Sequence, residues 1–387
     1  MMNKSGGVVE FESLSLASDG PAQGGRVVVE TLPCEEALSP FSMPIIDTRD
    51  PKPRVSSRIR RRILHVYLAQ AGRVWKILSP SVRTWAVSRV WGRHLDRLVR
   101  LNADRKQYFA TFFLRNRAEL EMLRRLADRK PHGARFDMTV LACSKGAEVY
   151  SMAWAIRSAR PDLRLNLHAV DISQEIVDFA ARGIYSLSGS DAMASENEEA
   201  AKEKGDVSWN TSRDQNASMF ERVSSQEIDA MFEVNGNQAT IKPWLRQGIT
   251  WMCGDAGDPA LVAGIGLQDV VVANRFLCHM EPPGAQSCLR NIARLVKPGG
   301  YLFVTGIDLD VRTKVAVEEA WSPVQDLARE IHEGDTSILA GWPLNYWGLE
   351  PFDERRPDAQ VRYASVFRLG EPAAQSPELA GSERSGR

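Results

Sequence analysis

The chain has little that would tie it to a disulfide framework, a metal or a membrane. Its 387 residues hold only five cysteines, Cys34, Cys143, Cys253, Cys278 and Cys288, an odd and scattered set with no CxxC pair. That pattern argues against a zinc site and suits reduced, small apolar side chains. No run of apolar residues reaches the length that a bilayer-spanning helix needs. An excess of one charge is missing too. Forty-nine Lys and Arg face 49 Asp and Glu, for a formal net charge of +0, so bulk electrostatics select neither nucleic acid nor an anionic surface. The N-terminus lacks the charged-then-apolar order of a signal peptide, since Glu10, Glu12 and Ser13 interrupt any apolar stretch. These absences predict a cytoplasmic protein with no nucleic acid partner and no metal.

What is present changes along the chain. Residues 1–55 show little periodicity between Gly6-Gly7, Gly24-Gly25 and Pro40, Pro44, Pro51 and Pro53, and read as a disordered segment. Residues 56–130 read as a helical N-terminal domain. Ile59, Ile63, Val66, Tyr67, Val74, Trp75 and Leu78 recur at three-to-four spacing with Arg58, Arg60, Arg61, Arg62 and Arg73 between them, which predicts a basic amphipathic helix over 57–78. Ser79-Pro80-Ser81 breaks it. Helical spacing resumes over Val82–Arg100 and again over Asp104–Leu126.

From 131 to 370 strands alternate with helices. Phe136–Ala142, Leu163–Val170, Gln268–Ala273 and Tyr301–Thr305 read as strands, and Glu148–Ala159, Ser173–Arg182 and Gly284–Val296 as helices, with Ser173 an N-cap. The order predicts an α/β fold with a parallel, doubly wound sheet. An insertion is expected near 188–248, polar over Ser188–Gln215. A helix over Val311–Ile331, a segment with Trp342, Trp347 and Pro351, a last strand over Val361–Leu369 and a disordered tail, 371–387, complete the chain.

Such sheets bind ligands at the carboxyl ends of their strands, near the switch point. The first strand runs into Ala142-Cys143-Ser144-Lys145-Gly146-Ala147-Glu148, a small-residue turn that lets backbone approach a ligand. The second ends in Asp171, where an acid can accept hydrogen bonds from both hydroxyls of a ribose. A later strand ends in Ala273-Asn274-Arg275. The first turn has one glycine and no GxGxxG, which disfavours a dinucleotide.

Cys143-Ser144-Lys145-Gly146-Ala147-Glu148-Val149-Tyr150-Ser151 resembles the CSTGEEPYS turn of the CheR-type methyltransferases, enzymes that methylate glutamates of chemoreceptors. Val170-Asp171-Ile172-Ser173 and Ala181-Arg182-Gly183-Ile184-Tyr185 resemble that family's ATDID…ARxGIY segment. Thr111-Phe112-Phe113-Leu114-Arg115 resembles TxFFR, and Lys297-Pro298-Gly299-Gly300-Tyr301-Leu302 is similar to KPGGYL. The resemblance covers roughly residues 102–305. It implies a Rossmann-like class I methyltransferase core with an N-terminal helical domain, and S-adenosyl-L-methionine as cofactor. Carried over, it implies that Thr111 and Arg115 meet the methionine end, Arg115 as counter-ion to the carboxylate. Cys143, Ser144 and Gly146 would form the turn beneath it, Glu148 would accept from the amino group, Asp171 would hold the ribose, and Asp255 and Ala256 would lie beside the adenine.

The substrate side departs from the family. Its CRNVxIY reads Ala273-Asn274-Arg275-Phe276-Leu277-Cys278-His279 here, with Asn and Arg exchanged and His279 at the tyrosine. His279 is expected to act either as a base or as a residue that orients substrate. Arg275 is expected to pair a substrate carboxylate or to serve as a structural ion-pair partner. Phe276, Leu277, Met280, Trp321, Trp342, Tyr346 and Trp347 form a candidate apolar wall or ordinary core. The expectation is a carboxyl O-methyltransferase acting on a free hydrophobic acid, such as a hydroxy fatty acid made into a methyl-ester signal for quorum sensing. Protein-glutamate methylation of a chemoreceptor stands beside it, as does a non-catalytic cofactor-binding sensor or scaffold. The basic helix would dock a receptor, rest on a membrane surface, or simply leave its arginines solvated.

Overall fold

The structure, a computed structural model, describes residues 55–79, 111–187, 219–334 and 350–370, and single residues between 82 and 98. The N-terminal segment, the polar stretch 188–218, the Trp342–Trp347 segment, the tail and the 104–110 part of the third helical region lie outside the described residues.

Helix α1 (Val55–Ile77) is the predicted basic helix. Its Leu68, Ala71 and Trp75 close over Leu95 in a small core of their own, with Trp75 tilted on Trp91 at 5.4 Å between ring centroids. Among the described residues no helix is long and apolar enough to cross a membrane.

The main unit runs α2 (Arg117–Asp128), β1 (Arg135–Leu141), α3 (Ala147–Ala159), β2 (Arg164–Asp171), α4 (Gln174–Arg182), β3 (Ile184–Ser186), α5 (Ser225–Met231), β4 (Phe232–Asn235), β5 (Gln238–Ile241), α6 (Pro243–Arg246), β6 (Ile249–Cys253), α7 (Pro259–Ile265), β7 (Gln268–Ala273), α8 (Pro282–Ala293), β8 (Val296–Phe303), α9 (Leu309–Glu318), β9 (Ser322–Pro323), α10 (Ala328–Glu333), α11 (Ala359–Arg362) and β10 (Val366–Arg368). Seven strands form one sheet in the order β6-β2-β1-β7-β8-β10-β9. The first five are parallel to their neighbours, and β10 runs antiparallel to β8 and β9. This is the expected Rossmann-like α/β core. The chain winds outward from β1 to β2 and β6 on one side, and from β7 to β8 on the other, so the switch point lies between β1 and β7.

Val270-Val271-Val272 shows why the sheet is central. Alternate residues enter opposite cores, Val270 and Val272 with Met138, Val140 and Leu167 on one face, Val271 with Leu141, Val170 and Leu302 on the other. A strand buried on both faces needs such a continuous apolar run. A small antiparallel sheet, β3-β5-β4, is built from the residues that flank the polar stretch. Residues 219–248, expected within the insertion, therefore carry regular structure.

Four boundaries differ from the sequence expectation; the first is β8, which begins at Val296, where the helix Gly284–Val296 was expected to end, and not at Tyr301. Residues 111–116 are not helical. Leu114 takes φ 53°, its N–H donates to Ser151 Oγ at 2.9 Å, and Asn116 caps α2, its Oδ1 accepting from the Glu119 N–H at 3.2 Å. The predicted helix over Val311–Ile331 is two helices. Positive φ at Ala320 and Leu327 breaks the winding, and Trp321 turns inward onto Phe367, 5.7 Å between centroids. The predicted last strand splits into α11 and β10, and its strand part begins only at Val366.

Candidate functional site

The turn from β1 into α3 is held by backbone contacts in an uncommon conformation. Ala142, Ser144 and Gly146 all have positive φ, at 53°, 50° and 83°. For the two non-glycine residues this conformation costs of order 1–3 kcal/mol each and persists only when the surroundings over-determine it. Here they do. The Cys143 N–H donates to Val170 O at 2.9 Å, the Ser144 N–H to Asp171 Oδ2 at 2.8 Å, and the Tyr185 hydroxyl to Lys145 O at 2.7 Å. A Cβ at Gly146 would meet Ala180 Cβ and the Trp251 ring at 3.0 Å, so sterics and φ both require glycine there.

Asp171 ends β2, almost fully buried. Its Oδ1 accepts from the Ser173 N–H at 3.2 Å, and the Ile172 N–H also acts on the carboxylate, which with its several lone pairs retains acceptor capacity. Burial pushes its carboxyl above the usual range, against the pull of these N–H groups. The Gly254 N–H donates to Asp171 O at 2.9 Å, which sets the turn after β6 beside it. In that turn Asp255 is exposed and accepts from the Gly257 N–H at 2.8 Å, and Ala256 O accepts from Asn291 Nδ2 at 3.0 Å.

The Leu114–Ser151 bond ties the 111–116 segment to α3, Thr111 is buried, and Arg115 lies near enough to Glu119 to lower its carboxyl. The segment is clasped from outside. The Arg222 guanidinium lies 4.8 Å from the Phe112 ring centroid and donates to Arg115 O at 2.8 Å, while Arg115 stands 5.4 Å from that ring. The Phe113 N–H donates to Met219 O at 3.0 Å, and Arg117 pairs with Glu227 at 2.6 Å.

The end of β7 is organised by side chains. Asn274 Oδ1 accepts from the Thr305 N–H at 3.0 Å and from its hydroxyl at 2.8 Å. A backbone N–H can only donate, so the amide orientation is fixed. Its Nδ2 must then face the two carboxylates it contacts, Glu119 and, at 2.7 Å, Glu148. Arg275 takes φ 62°, donates its N–H to Thr305 O at 2.9 Å, and brings a guanidinium nitrogen 3.5 Å from Glu148 Oε1. It rides over Gly306, where a Cβ would fall 2.6 Å from Arg275 Cγ. Glu119 is buried, and burial together with the Glu148 charge pushes its carboxyl up to about 7, against Arg275, Asn274 and Arg115.

Asn274 and Arg275 were expected to face substrate. Their hydrogen bonds include Glu119, Glu148 and Thr305. His279 closes a short 3-10 turn, Leu277–His279, with its side chain exposed. Glu119 escaped sequence reasoning. Its one signal, Asn116-x-x-Glu119 before an apolar stripe, reads as a helix-capping pattern; the cap does form, but the carboxylate turns to Asn274. Of the candidate apolar wall, Leu277 and Trp321 are core residues, and Phe276 and Met280 pack against that core. Among the described residues no cluster of metal ligands occurs.

A buried polar network braces this side. Arg312, wholly buried and lowered to about 9 by that burial, donates to Val304 O at 2.7 Å and Arg362 O at 2.9 Å. Arg362 pairs with Glu350 at 2.6 Å, and Glu350 also accepts from the Tyr363 hydroxyl at 2.9 Å. Val304 precedes Thr305, so the network holds the strand end that orients Asn274.

Comparison with known proteins agrees with this geometry. Residues 110–207 match the family model described as CheR methyltransferase, SAM binding domain, and residues 212–304 match a methyltransferase domain model. Two relatives, each named a probable biofilm formation methyltransferase WspC, are 22% identical over 228 residues in Pseudomonas aeruginosa and 27% identical over 205 residues in Pseudomonas putida. These alignments take in 58% and 52% of this chain but only 47% and 41% of the relatives, so the chain spans less than half of their length. The solved structure of the N-methyltransferase NodS from Bradyrhizobium japonicum, in complex with S-adenosyl-L-homocysteine, aligns over 60% of this chain and 87% of its own at 14% identity and a TM-score of 0.29. These matches support a methyltransferase domain that uses S-adenosyl-L-methionine, similar over residues 110–207 to the CheR type.

Proposed function

We propose that this CheR-type, S-adenosylmethionine-dependent enzyme methyl-esterifies a side-chain carboxylate of a protein, a glutamate of a chemoreceptor-type partner. The residues at the strand ends suit the cofactor. Asp171 retains acceptor capacity for two ribose hydroxyls, and Gly146 offers a turn with no Cβ beneath the ligand. Cys143 and Ser144 shape that turn, and Asp255 and Ala256 flank the adenine. Glu148 receives the methionine ammonium, while Thr111 and Arg115 meet its carboxylate.

S-adenosylmethionine supplies a methyl group on a sulfonium sulfur, and displacement there needs a nucleophile held in line. A carboxylate with an ordinary pKa of about 4 is ionised at pH 7 and needs no base. The observation that carries the choice is the set of partners around Asn274 and Arg275. Both contact carboxylates and Thr305, a charged setting that suits an acceptor already ionised and in no need of a base. His279, exposed beyond them, suits a residue that orients the incoming segment. The free hydrophobic acid has less support, since Trp321 and Leu277 belong to the core and Trp342, Tyr346 and Trp347 lie outside the described residues. The relatives' description as biofilm formation methyltransferases fits a signalling partner.

Incubation with methyl-labelled cofactor, a receptor signalling fragment and a panel of free hydroxy fatty acids tests this. Base-labile label on the receptor is expected. Label on the free acids alone would return the lipid acceptor to first place, and cofactor binding with no transfer to either would leave a sensor or scaffold.

A further inference from the structure

Glu119 belongs to no motif that led to the site, yet it lies at the centre of its charged end. We propose that Glu119 is a positioning residue for the cofactor: through Asn274 it sets the Glu148 carboxylate, and it carries a proton that leaves when the methionine ammonium binds. This rests on the methionine-end placement of Glu148 proposed above.

Geometry carries the coupling. Thr305 fixes the Asn274 amide, so both Nδ2 hydrogens are spent, one on each carboxylate. Two oxygens bonded to one nitrogen lie within about 5 Å of each other. Glu119 is 2% exposed, so water screens this pair poorly. Two like charges in such a place are not both held without compensation, and one proton stays in the empty site. The groups facing Glu119 are Glu148 from α3, Arg275 from beyond β7 and Arg115 from the segment before α2. His332 of α10, which packs against α2, is turned to Glu350 O at 2.8 Å. Arg275 reaches Glu148 at 3.5 Å, and Arg275 and Arg115 oppose the rise at Glu119 without cancelling it. An incoming ammonium adds positive charge beside Glu148, Glu119 ionises, and its proton passes to solvent.

The test is binding of S-adenosyl-L-homocysteine to the full chain by calorimetry, which needs no turnover. With Glu119 titrating at about 7, affinity is expected to weaken roughly eightfold from pH 7.5 to pH 6, a range in which the ligand's own amino group stays charged. At pH 7 about half a proton should leave per ligand bound, seen as a dependence of binding heat on the buffer's ionisation enthalpy. Methylthioadenosine, which lacks the amino acid, should bind without this slope. Glu119→Gln should bind the homocysteine ligand without it too, and more weakly at pH 7.5. A flat wild-type profile with no proton release would overturn the proposal even if the variant does not fold, as would a Glu119→Gln protein that keeps the wild-type slope. Failure to bind the ligand at any pH would instead overturn the cofactor site itself.

Discussion

The two halves of the site are built by different means. At the ends of β1 and β2 the backbone does the work. Three positive-φ residues, N–H groups aimed at Asp171 and a glycine with no room for a Cβ form a surface that needs few side chains. At the end of β7 the reverse holds. Asn274, Glu119, Glu148, Arg275 and Thr305 make a hydrogen-bonded charge cluster whose members are far apart in the chain. A backbone cradle tolerates change around it but not at its own positions. A charge cluster tolerates isosteric change but responds to pH.

The largest expected effect is on the backbone half. Gly146→Val places a branched Cβ at φ 83°, 3.0 Å from Ala180 and Trp251. Strain and overpacking together should cost about 2–4 kcal/mol in urea unfolding and remove measurable binding of S-adenosyl-L-homocysteine. A Gly146→Val protein that binds within tenfold of wild type would end the distinction between the halves.

That contrast also explains what was legible in the sequence. The parallel sheet was legible because Val270-Val271-Val272 and the strands beside it are buried on both faces. The cofactor turn was read through its resemblance to the CSTGEEPYS motif, because one glycine in a turn and one acid at a strand end are weak signals by themselves. The helix breaks at Ala320 and Leu327 were not, since neither residue favours positive φ and the burial of Trp321 against Phe367 decides them. Glu119 was hidden for another reason. Its role depends on Asn274, 155 residues away, and locally it passes for a cap.

A smaller effect separates the charge cluster from the network that braces it. Glu119 is raised above its ordinary value of 4.5, to about 7. Its contribution to the stability of the ligand-free protein is therefore full below pH 4.5 and is lost as pH rises through about 7. His332 is lowered by burial from 6.5 to about 4. Its contribution is full above pH 6.5 and is lost as pH falls through about 4. Between pH 4.5 and 6.5 the two slopes oppose each other. Relative to wild type, Glu119→Gln should make the unfolding temperature climb more steeply with pH across that window, and His332→Gln should make it climb less, each by a few degrees. Parallel profiles in the two variants would show that one of these assignments is wrong.

The smallest expected effect is at Thr305, where the two halves meet. Its hydroxyl and its N–H both donate to Asn274 Oδ1. Thr305→Val keeps the shape and the N–H but removes one donor, and one neutral hydrogen bond contributes about 0.5–1.5 kcal/mol. The N–H alone still dictates the amide orientation, so both carboxylates keep their donor. Affinity for S-adenosyl-L-homocysteine should fall only about threefold, with the pH slope intact, because the proton on Glu119 does not depend on the hydroxyl. If Thr305→Val instead abolishes the slope, the hydroxyl rather than the backbone sets Asn274. The charge cluster would then be less firmly anchored to the sheet than the backbone cradle.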